Sequence, residues 1–239
     1  MTSSTDAIRT SVATANRILA REGVLDAFGH VSVRDPHHPG RFFLARSLAP
    51  ERVTPDDVLE FDLNSQLVEP SAAALYSERV IHGTIFRARP DVNAICHHHA
   101  PSLLPFCLTD MKLSVITQLG ATMGKHVPIW DQRQEFGATS HLVVTEPEAT
   151  SLARCLGADS IVLMKRHGAT VVGRDLRELV FRSIYSCRDA ELQLRARSYG
   201  AVDVFTEAEI ELAAQYPEAT LTRAWDYWVS RLQGSSNLS

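Results

Sequence analysis

Two apolar segments of the chain have the composition of buried strands. The first is VNAICHHH at residues 92–99, and the second is SIVLMKRHGATVVG at residues 160–173. The second segment predicts two buried strands joined by a turn at His167 and Gly168, since glycine permits a sharp reversal of the chain. Strands as apolar as these indicate a sheet whose faces are covered by other elements.

The rest of the chain mixes strand hairpins with amphipathic helices. Hairpins are predicted within residues 28–47 and 56–70, each around turn residues. Helical spacing of apolar residues predicts helices over residues 5–21, 77–87, 146–157 and 175–199, and two more over 206–232. Strands do not alternate regularly with helices, which favours a mixed or antiparallel sheet covered by helices.

Composition and charge exclude several classes of protein. The chain has 239 residues and a net charge of −4, which gives no reason to expect a nucleic-acid or anionic-membrane surface. No stretch approaches the ~18 apolar residues of a membrane span. The start, MTSSTDAIRT, lacks the pattern of a signal peptide. The four cysteines form no C-x-x-C pair, so we expect buried thiols and a cytoplasmic protein.

The histidines at residues 97–99 have the spacing of metal ligands. Side chains alternate between the faces of a strand, so His97 and His99 point to one side and His98 to the other. A catalytic metal needs about three protein ligands and an open position. His167 is a candidate for a third ligand and Glu78 for a further one. Histidine is also common as a hydrogen-bonded core or surface residue, so the H-x-H spacing alone leaves both interpretations open.

The remaining histidines are interpreted as structural. They lie outside the H-x-H pair and the HG turn, and His30, which lies in a glycine turn, is not among them. The structural interpretation covers His37, His38, His82, His126 and His141.

Three segments together resemble the signature of the class II aldolase/adducin family. They are SERVIHGTIFRARPD, VNAICHHHAPS and LMKRHGATVVG. In that family a glutamate, an H-x-H pair and a later histidine in an HG turn gather around one divalent metal. Glu78, His97, His99 and His167 match their order and separation. The resemblance implies one divalent ion per subunit, Zn²⁺ or Mn²⁺, with Fe²⁺ or Co²⁺ also suited to these ligands.

The resemblance, which spans about residues 11–196, also implies a fold and an assembly. The expected fold class is α/β, with residues 1–239 forming a single three-layer α/β/α domain around a central, mainly antiparallel mixed sheet. The family implies a homo-oligomer, a tetramer or larger, with active sites at subunit boundaries. We expect the C-terminal helices, at about residues 203–232, to lie at a subunit interface.

Two turns depart from the sugar-phosphate members of the family. In those members, small hydroxyl residues and backbone N–H groups cradle a phosphate. Here DAFGHVSVRD retains Gly29 but has Phe28 and His30, and LARSLAPERVTPDD has Arg46 and Ser47. A guanidinium can hold a carboxylate through two parallel hydrogen bonds. The expected substrate-binding residues are therefore Gly29, His30, Arg46 and Ser47.

With these departures the chain resembles the decarboxylase branch of the family, which acts on hydroxylated phthalates and on a hydroxypyridine dicarboxylate. The expected function is metal-dependent decarboxylation of a hydroxylated aromatic (di)carboxylic acid in aromatic catabolism. The metal would serve as Lewis acid and template. Glu78 and His30 are the expected catalytic residues. No G-x-G-x-x-G or P-loop pattern occurs, so no organic cofactor is expected.

Two other functions stay open at this stage. The first is an aldolase, epimerase or dehydratase acting on a sugar phosphate, which the altered phosphate turns disfavour. The second is an adducin-like module that binds or assembles without catalysis. The complete set of one glutamate and three histidines disfavours that module, because a scaffold has no physical need for four converging ligands.

Overall fold

A seven-stranded sheet forms the centre of the computed structural model, which describes residues 4–234. Its order is β3-β2-β1-β4-β7-β6-β5, and every neighbouring pair is antiparallel except β5 and β6. The predicted mixed, mainly antiparallel sheet is thereby confirmed. The strands are β1 His30–Arg34, β2 Arg41–Ala45, β3 Val58–Asp62, β4 Ala94–His98, β5 Ile129–Trp130, β6 Ile161–Met164 and β7 Gly168–Gly173.

The helices lie close to the predicted positions. The described residues form α1 Ser4–Arg21, α2 Val80–Ala88, α3 Leu104–Leu108, α4 Arg133–Phe136, α5 Glu146–Leu156, α6 Leu176–Ala196, α7 Glu207–Ala213 and α8 Glu218–Gly234. Four short 3-10 helices cover Pro50–Arg52, Pro55–Asp57, Ser77–Arg79 and Leu119–Met123. The sequence did not predict β5 or α4, because elements of two and four residues are too short to show a periodicity.

Two apolar cores, one on each face of the sheet, give the three layers that were expected. Neighbouring strand residues enter different cores, as Phe42 and Phe43 do, because strand side chains alternate. Apolar residues of α1, α6 and α8 complete one core, and those of α2 and α5 complete the other. Each face is therefore covered by helices, and the expected α/β/α arrangement is confirmed.

The second predicted hairpin forms only in part. After β3 the return segment makes a single isolated bridge, between Phe61 and Leu67. The turn is instead bound to the 3-10 helix that precedes α2. Ser65 Oγ donates to the Arg79 carbonyl at 3.0 Å, and Arg79 Nε donates to the Ser65 carbonyl at 3.1 Å. These bonds hold the start of α2 against the sheet in place of a further strand.

β4 pairs with β1 on one side and with β7 on the other, so three chain segments meet at one end of the central strands. His97 lies opposite His30 of β1 and opposite Thr170 of β7. The turn that precedes β7 therefore lies beside the end of β4. Gly168 makes this approach possible, because a Cβ atom at that position would overlap the His98 carbonyl oxygen.

Within residues 4–234, no helix is both long and apolar enough to cross a membrane. The four cysteines occur as free thiols, and three of them are buried.

Candidate metal centre and cavity

The four residues predicted as metal ligands meet in one cluster. Ligand atoms of Glu78, His97, His99 and His167 all lie within 4.8 Å of one another. His97 and His99 come from β4 and the residue just beyond it, and His167 comes from the turn between β6 and β7. Glu78 lies in the 3-10 helix Ser77–Arg79 before α2. Three segments that are distant in sequence therefore converge at the same end of the central strands.

The spacing of these atoms suits a divalent ion. A tetrahedral ion with ligands at 2.0–2.2 Å separates its ligand atoms by about 3.3 Å. His97 Nε2 lies 3.1 Å from His99 Nε2 and 3.6 Å from Glu78 Oε2. His167 Nε2 lies 3.7 Å from the same Glu78 oxygen. Small side-chain adjustments would bring these atoms to the distances that a metal requires.

Burial keeps the imidazoles of the cluster neutral, as ligands must be. The pKa of His97 lies well below its ordinary value, because of burial and then of the neighbouring His167, His30 and other histidines. Burial, followed by the nearby His99, lowers the pKa of His167 to about 4. Burial also lowers the pKa of His99, although Asp26 opposes that shift. Each ring can therefore offer a lone pair at neutral pH.

Thr170 selects the nitrogen that His97 presents to the cluster. His97 Nδ1 lies 3.2 Å from Thr170 Oγ1, and the Thr170 hydroxyl donates to the sulfur of Met164 at 3.5 Å. With its hydroxyl proton directed to Met164, the Thr170 oxygen can accept the N–H of His97 Nδ1. The lone pair of His97 Nε2 is then directed into the cluster, an orientation that metal sites commonly fix in this way.

Glu78 is oriented by a backbone amide. The N–H of Val143 donates to Glu78 Oε1 at 2.9 Å, which leaves Oε2 facing His97 and His167. Burial raises the pKa of Glu78 to about 7, the Val143 amide opposes the shift, and Glu148 adds to it. The carboxyl group can therefore either ligate an ion or hold a proton near neutral pH.

A cavity of about 480 Å³ opens onto this cluster. Three of the four predicted substrate-binding residues line it, namely Gly29, His30 and Ser47. Gly29 has φ +90°, and a Cβ atom there would lie 2.8 Å from the His97 carbonyl oxygen, so only glycine fits beside β4. The other lining residues are Ala27, Phe28, Leu48, Ala49, Leu75, Tyr76, Ser77, Glu78, His99, Leu142 and His167.

Arg46 does not join the other predicted substrate-binding residues. Its Nε atom donates to Asp57 Oδ1 at 2.7 Å, and Arg46 is not among the residues that line the cavity. Asp57 is itself fixed by the backbone N–H and the hydroxyl of Thr54. The Nε of the guanidinium is therefore bound to the 3-10 helix Pro55–Asp57, and the predicted grip on a carboxylate stays a prediction.

Two residues at the site were not predicted from the sequence. Tyr76 packs against His30 with ring centroids 4.6 Å apart and donates its hydroxyl to the Leu48 carbonyl. His82, interpreted above as structural, is fully buried and contacts His30 through a hydrogen bond of 2.6 Å. Its place three residues after the 3-10 helix that carries Glu78 was the available signal. His98 lies on the other side of β4, as expected, and its Nδ1 atom accepts the Ala100 N–H.

Comparisons with known proteins agree with this geometry. The family model described as Class II Aldolase and Adducin N-terminal domain matches residues 10–194. The chain belongs to the class II aldolase/adducin family. It is 30% identical over 240 residues to Decarboxylase tropJ of Talaromyces stipitatus, an alignment that covers 90% of each protein.

A second similar protein is the 3,4-dihydroxyphthalate decarboxylase of Arthrobacter keyseri. The two are 26% identical over 207 residues, which cover 80% of this chain and 79% of that protein. Among solved structures, the L-fuculose 1-phosphate aldolase from Glaciozyma antarctica superposes with a TM-score of 0.79 at 23% identity, over 96% of this chain and 91% of that one. The last likeness shows the shared class II aldolase fold.

Replacing Thr170 by Val should weaken Zn²⁺ binding at the cluster of Glu78 and the three histidines about 10- to 100-fold. The valine keeps the volume of the threonine but removes the oxygen that accepts the Nδ1–H of His97. Competition with a chelator of known affinity measures the dissociation constant for Zn²⁺. Thr122→Val is the matched control, since Thr122 is also buried but lies in the 3-10 helix packed on α6. Equal affinities of the two variants would contradict the role given to Thr170.

The buried His82 should make the metal-free protein sensitive to acid. Burial lowers the pKa of His82 from 6.5 to about 3. As the pH falls below 6.5, the unfolded chain binds a proton at this residue before the folded protein does, so the free energy of unfolding decreases. The stabilisation is therefore present above pH 6.5 and is lost toward pH 3, with a slope of up to about 1.4 kcal/mol per pH unit.

The slope is measurable by urea denaturation at several pH values between about 6 and 4. His82→Gln should flatten the dependence of the free energy of unfolding on pH, while the exposed His37→Gln leaves it unchanged. A His82→Gln protein with the wild-type slope would show that His82 does not contribute to the acid sensitivity.

Proposed function

We propose that this protein is a metal-dependent, organic-cofactor-free decarboxylase of a hydroxylated aromatic (di)carboxylic acid. The observation that carries the proposal is the lining of the cavity beside the metal cluster. Among the described residues that line it there is no lysine or arginine, and apolar groups such as Phe28, Leu48 and Leu142 predominate with neutral imidazoles. These apolar walls suit the face of an aromatic ring, which a sugar phosphate does not offer.

Two relatives support the proposed reaction and substrate class. Decarboxylase tropJ and the 3,4-dihydroxyphthalate decarboxylase carry decarboxylation in their names, and the second also names a dihydroxylated aromatic diacid. Both align with most of this chain. The proposed substrate class, such as 3,4-dihydroxyphthalate or a hydroxypyridine dicarboxylate, and the role in aromatic catabolism follow from this similarity together with the lining of the cavity.

The side chains of the site have separable roles in this proposal. His97, His99 and His167 hold a divalent ion, Zn²⁺ or Mn²⁺, which when bound supplies Lewis-acid stabilisation of the charge left when CO2 departs. Glu78, buried and fixed through Oε1 by the Val143 amide, is either the fourth ligand or holds the proton destined for the ring carbon. The rings of Tyr76 and His30 form one wall against which the substrate ring packs.

We also propose a homo-oligomer whose subunits share the rim of the cavity. Phe28 is 68% exposed beside the cavity, and Leu212 and Tyr227 of the C-terminal helices are 73% and 56% exposed. Large apolar side chains exposed in this way are typical of association surfaces. The expected assembly is a tetramer or larger.

Light scattering during size-exclusion chromatography tests the assembly. The expected mass is at least four times the 26.4 kDa of the chain. Leu212→Glu should reduce this mass, while Leu212→Met, which keeps an apolar side chain at the same position, serves as the control. A monomeric wild-type protein would overturn the proposal of an oligomer and leave the chemistry of the site untouched.

The chemical function is tested by measuring CO2 release from the metal-reconstituted protein. The panel holds 3,4-dihydroxyphthalate, a hydroxypyridine dicarboxylate and simpler ortho-hydroxybenzoates, together with a sugar phosphate followed for aldol cleavage. We expect metal-dependent CO2 release from at least one aromatic acid and no cleavage of the sugar phosphate. His97→Ala and His167→Ala should lose both bound metal, measured by elemental analysis, and activity, by about a hundredfold or more.

His98→Asn is the matched control, because His98 is buried on the same strand but points away from the cluster. Aldol cleavage without CO2 release would favour the sugar-phosphate alternative. A protein that binds no metal and catalyses neither reaction would instead favour a non-catalytic binding module.

A further inference from the structure

A line of hydrogen bonds leads from the cavity into the core through three buried side chains. His30 Nδ1 lies 2.6 Å from His82 Nε2, and His82 Nδ1 lies 2.6 Å from Ser32 Oγ. Ser32 and His82 are fully buried, and His30 is 3% exposed at the cavity. The proposed reaction assigns no role to Ser32 or His82, so their hydrogen bonds need a separate explanation.

The fold dictates that these three side chains meet. His30 and Ser32 are two residues apart in β1, so they project from the same face of the sheet. Helix α2 covers that face and inserts His82 between them. Phe42 of β2 stacks on the His82 ring, with centroids 6.3 Å apart, and confines it from the side.

The buried end of the line, at Ser32, fixes the direction of its hydrogen bonds. β1 is paired on both sides, with Ser32 opposite Leu44 of β2 and Ile95 of β4, so the surrounding backbone groups serve the sheet. The one hydrogen bond of the Ser32 hydroxyl among the described residues is to His82 Nδ1. If the hydroxyl accepted this bond, its own proton would be buried without a partner, which is costly. Ser32 therefore donates to His82.

The rest follows from the inventory of a neutral imidazole, which has one donor and one acceptor. Burial lowers the pKa of His82 to about 3, so this ring is neutral. With Nδ1 of His82 accepting from Ser32, its Nε2 carries the proton and donates to His30 Nδ1. His30 Nδ1 must then be an acceptor, and the proton of the His30 ring lies on Nε2.

We infer that Ser32 and His82 are positioning residues that hold His30 as the Nε2–H tautomer, so that His30 offers the cavity a hydrogen-bond donor for a substrate oxyanion. His30 is then not available as a general base at its cavity-facing nitrogen, because that atom already carries the proton. The line also cannot replace a proton that His30 gives away, since its last member would become a serine alkoxide. The catalytic role first assigned to His30 thus becomes oxyanion binding, and Glu78 remains as the acid or base.

The identity of that oxyanion rests on the proposed function. In a hydroxylated aromatic acid it is a carboxylate or a phenolate oxygen, and both accept a hydrogen bond from a neutral N–H. The cavity lining described above contains no lysine or arginine that would compete for this role. His30 therefore contributes to the choice of an anionic substrate in a cavity without a fixed cationic side chain.

Solid-state NMR of the Zn²⁺-loaded protein labelled with ¹⁵N and ¹³C in its ten histidines tests the inference directly. The two neutral tautomers give distinct nitrogen and ring-carbon shifts, and the His30 signals are those that disappear in His30→Gln. The expected result for the wild type is a neutral ring with the proton on Nε2. A wild-type His30 with the proton on Nδ1 would overturn the inference, whatever the variants do.

Variants of the serine then test whether the line is the cause. Ser32→Ala should give a mixture of His30 tautomers, because His82 Nδ1 loses its donor, while Ser32→Thr keeps the hydroxyl and should restore the Nε2–H form. Ser186→Ala is the matched control, since this serine is equally buried but bonds to a carbonyl within α6. A Ser32→Ala protein that binds Zn²⁺ normally and keeps the wild-type tautomer would refute the role of Ser32.

The NMR measurement distinguishes a failure of this inference from a failure of the proposed function. If no aromatic acid releases CO2 but His30 is the Nε2–H tautomer, the proposed reaction is wrong and the hydrogen-bonded line stands. If CO2 is released, Ser32→Ala should raise KM about tenfold relative to Ser32→Thr, since substrate binding loses part of a charged hydrogen bond. A change in kcat alone would contradict a role in substrate binding.

Discussion

The pairing of β4 with β7 is the contact on which the site depends. Because His97 lies opposite Thr170 in this pairing, one register places both the ligand and the group that orients it. A slip by one residue would turn His97 away and bring His98 to the cluster, since strand side chains alternate. The absence of a side chain at Gly168 lets the turn that carries His167 lie directly against the end of β4. Backbone geometry thus sets the ligand geometry before any metal binds.

At this site, buried hydrogen-bond partners determine which atom each functional side chain presents. Thr170 fixes the nitrogen that His97 presents, the Val143 amide fixes the oxygen that Glu78 presents, and His82 fixes the nitrogen that His30 presents. Each of these bonds is buried, so it is not exchanged readily for a bond to water. The cluster is therefore preorganised, and little rearrangement is needed when an ion or a substrate enters.

Strand periodicity and an HG turn are local patterns, so the sequence indicated His97, His99 and His167 as candidate ligands, while the match of Glu78 to the set came from the family resemblance. It also indicated a mixed sheet, since hairpins and helices did not alternate regularly. Arg46 shows where this reasoning ends. Its partner Asp57 lies eleven residues further along the chain, and only the register of β2 with β3 brings the two together. His82 was missed for a related reason, because a lone histidine on an apolar helix face has the same pattern whether it serves the core or a site.

Because Arg46 does not line the cavity, neither a phosphate nor a carboxylate meets the cationic partner that was predicted, and the case for an aromatic substrate rests on the apolar walls. A phosphate dianion in a buried cavity needs several donors or fixed cations to replace its water. The lining offers the hydroxyls of Ser47 and Ser77 and the ring N–H inferred for His30, beside several apolar side chains. The oxygens of an aromatic acid also require polar partners, but its ring gains from the apolar walls. In the proposed function, the cluster of Glu78, His97, His99 and His167 is therefore paired with a cavity whose apolar walls suit an aromatic ring.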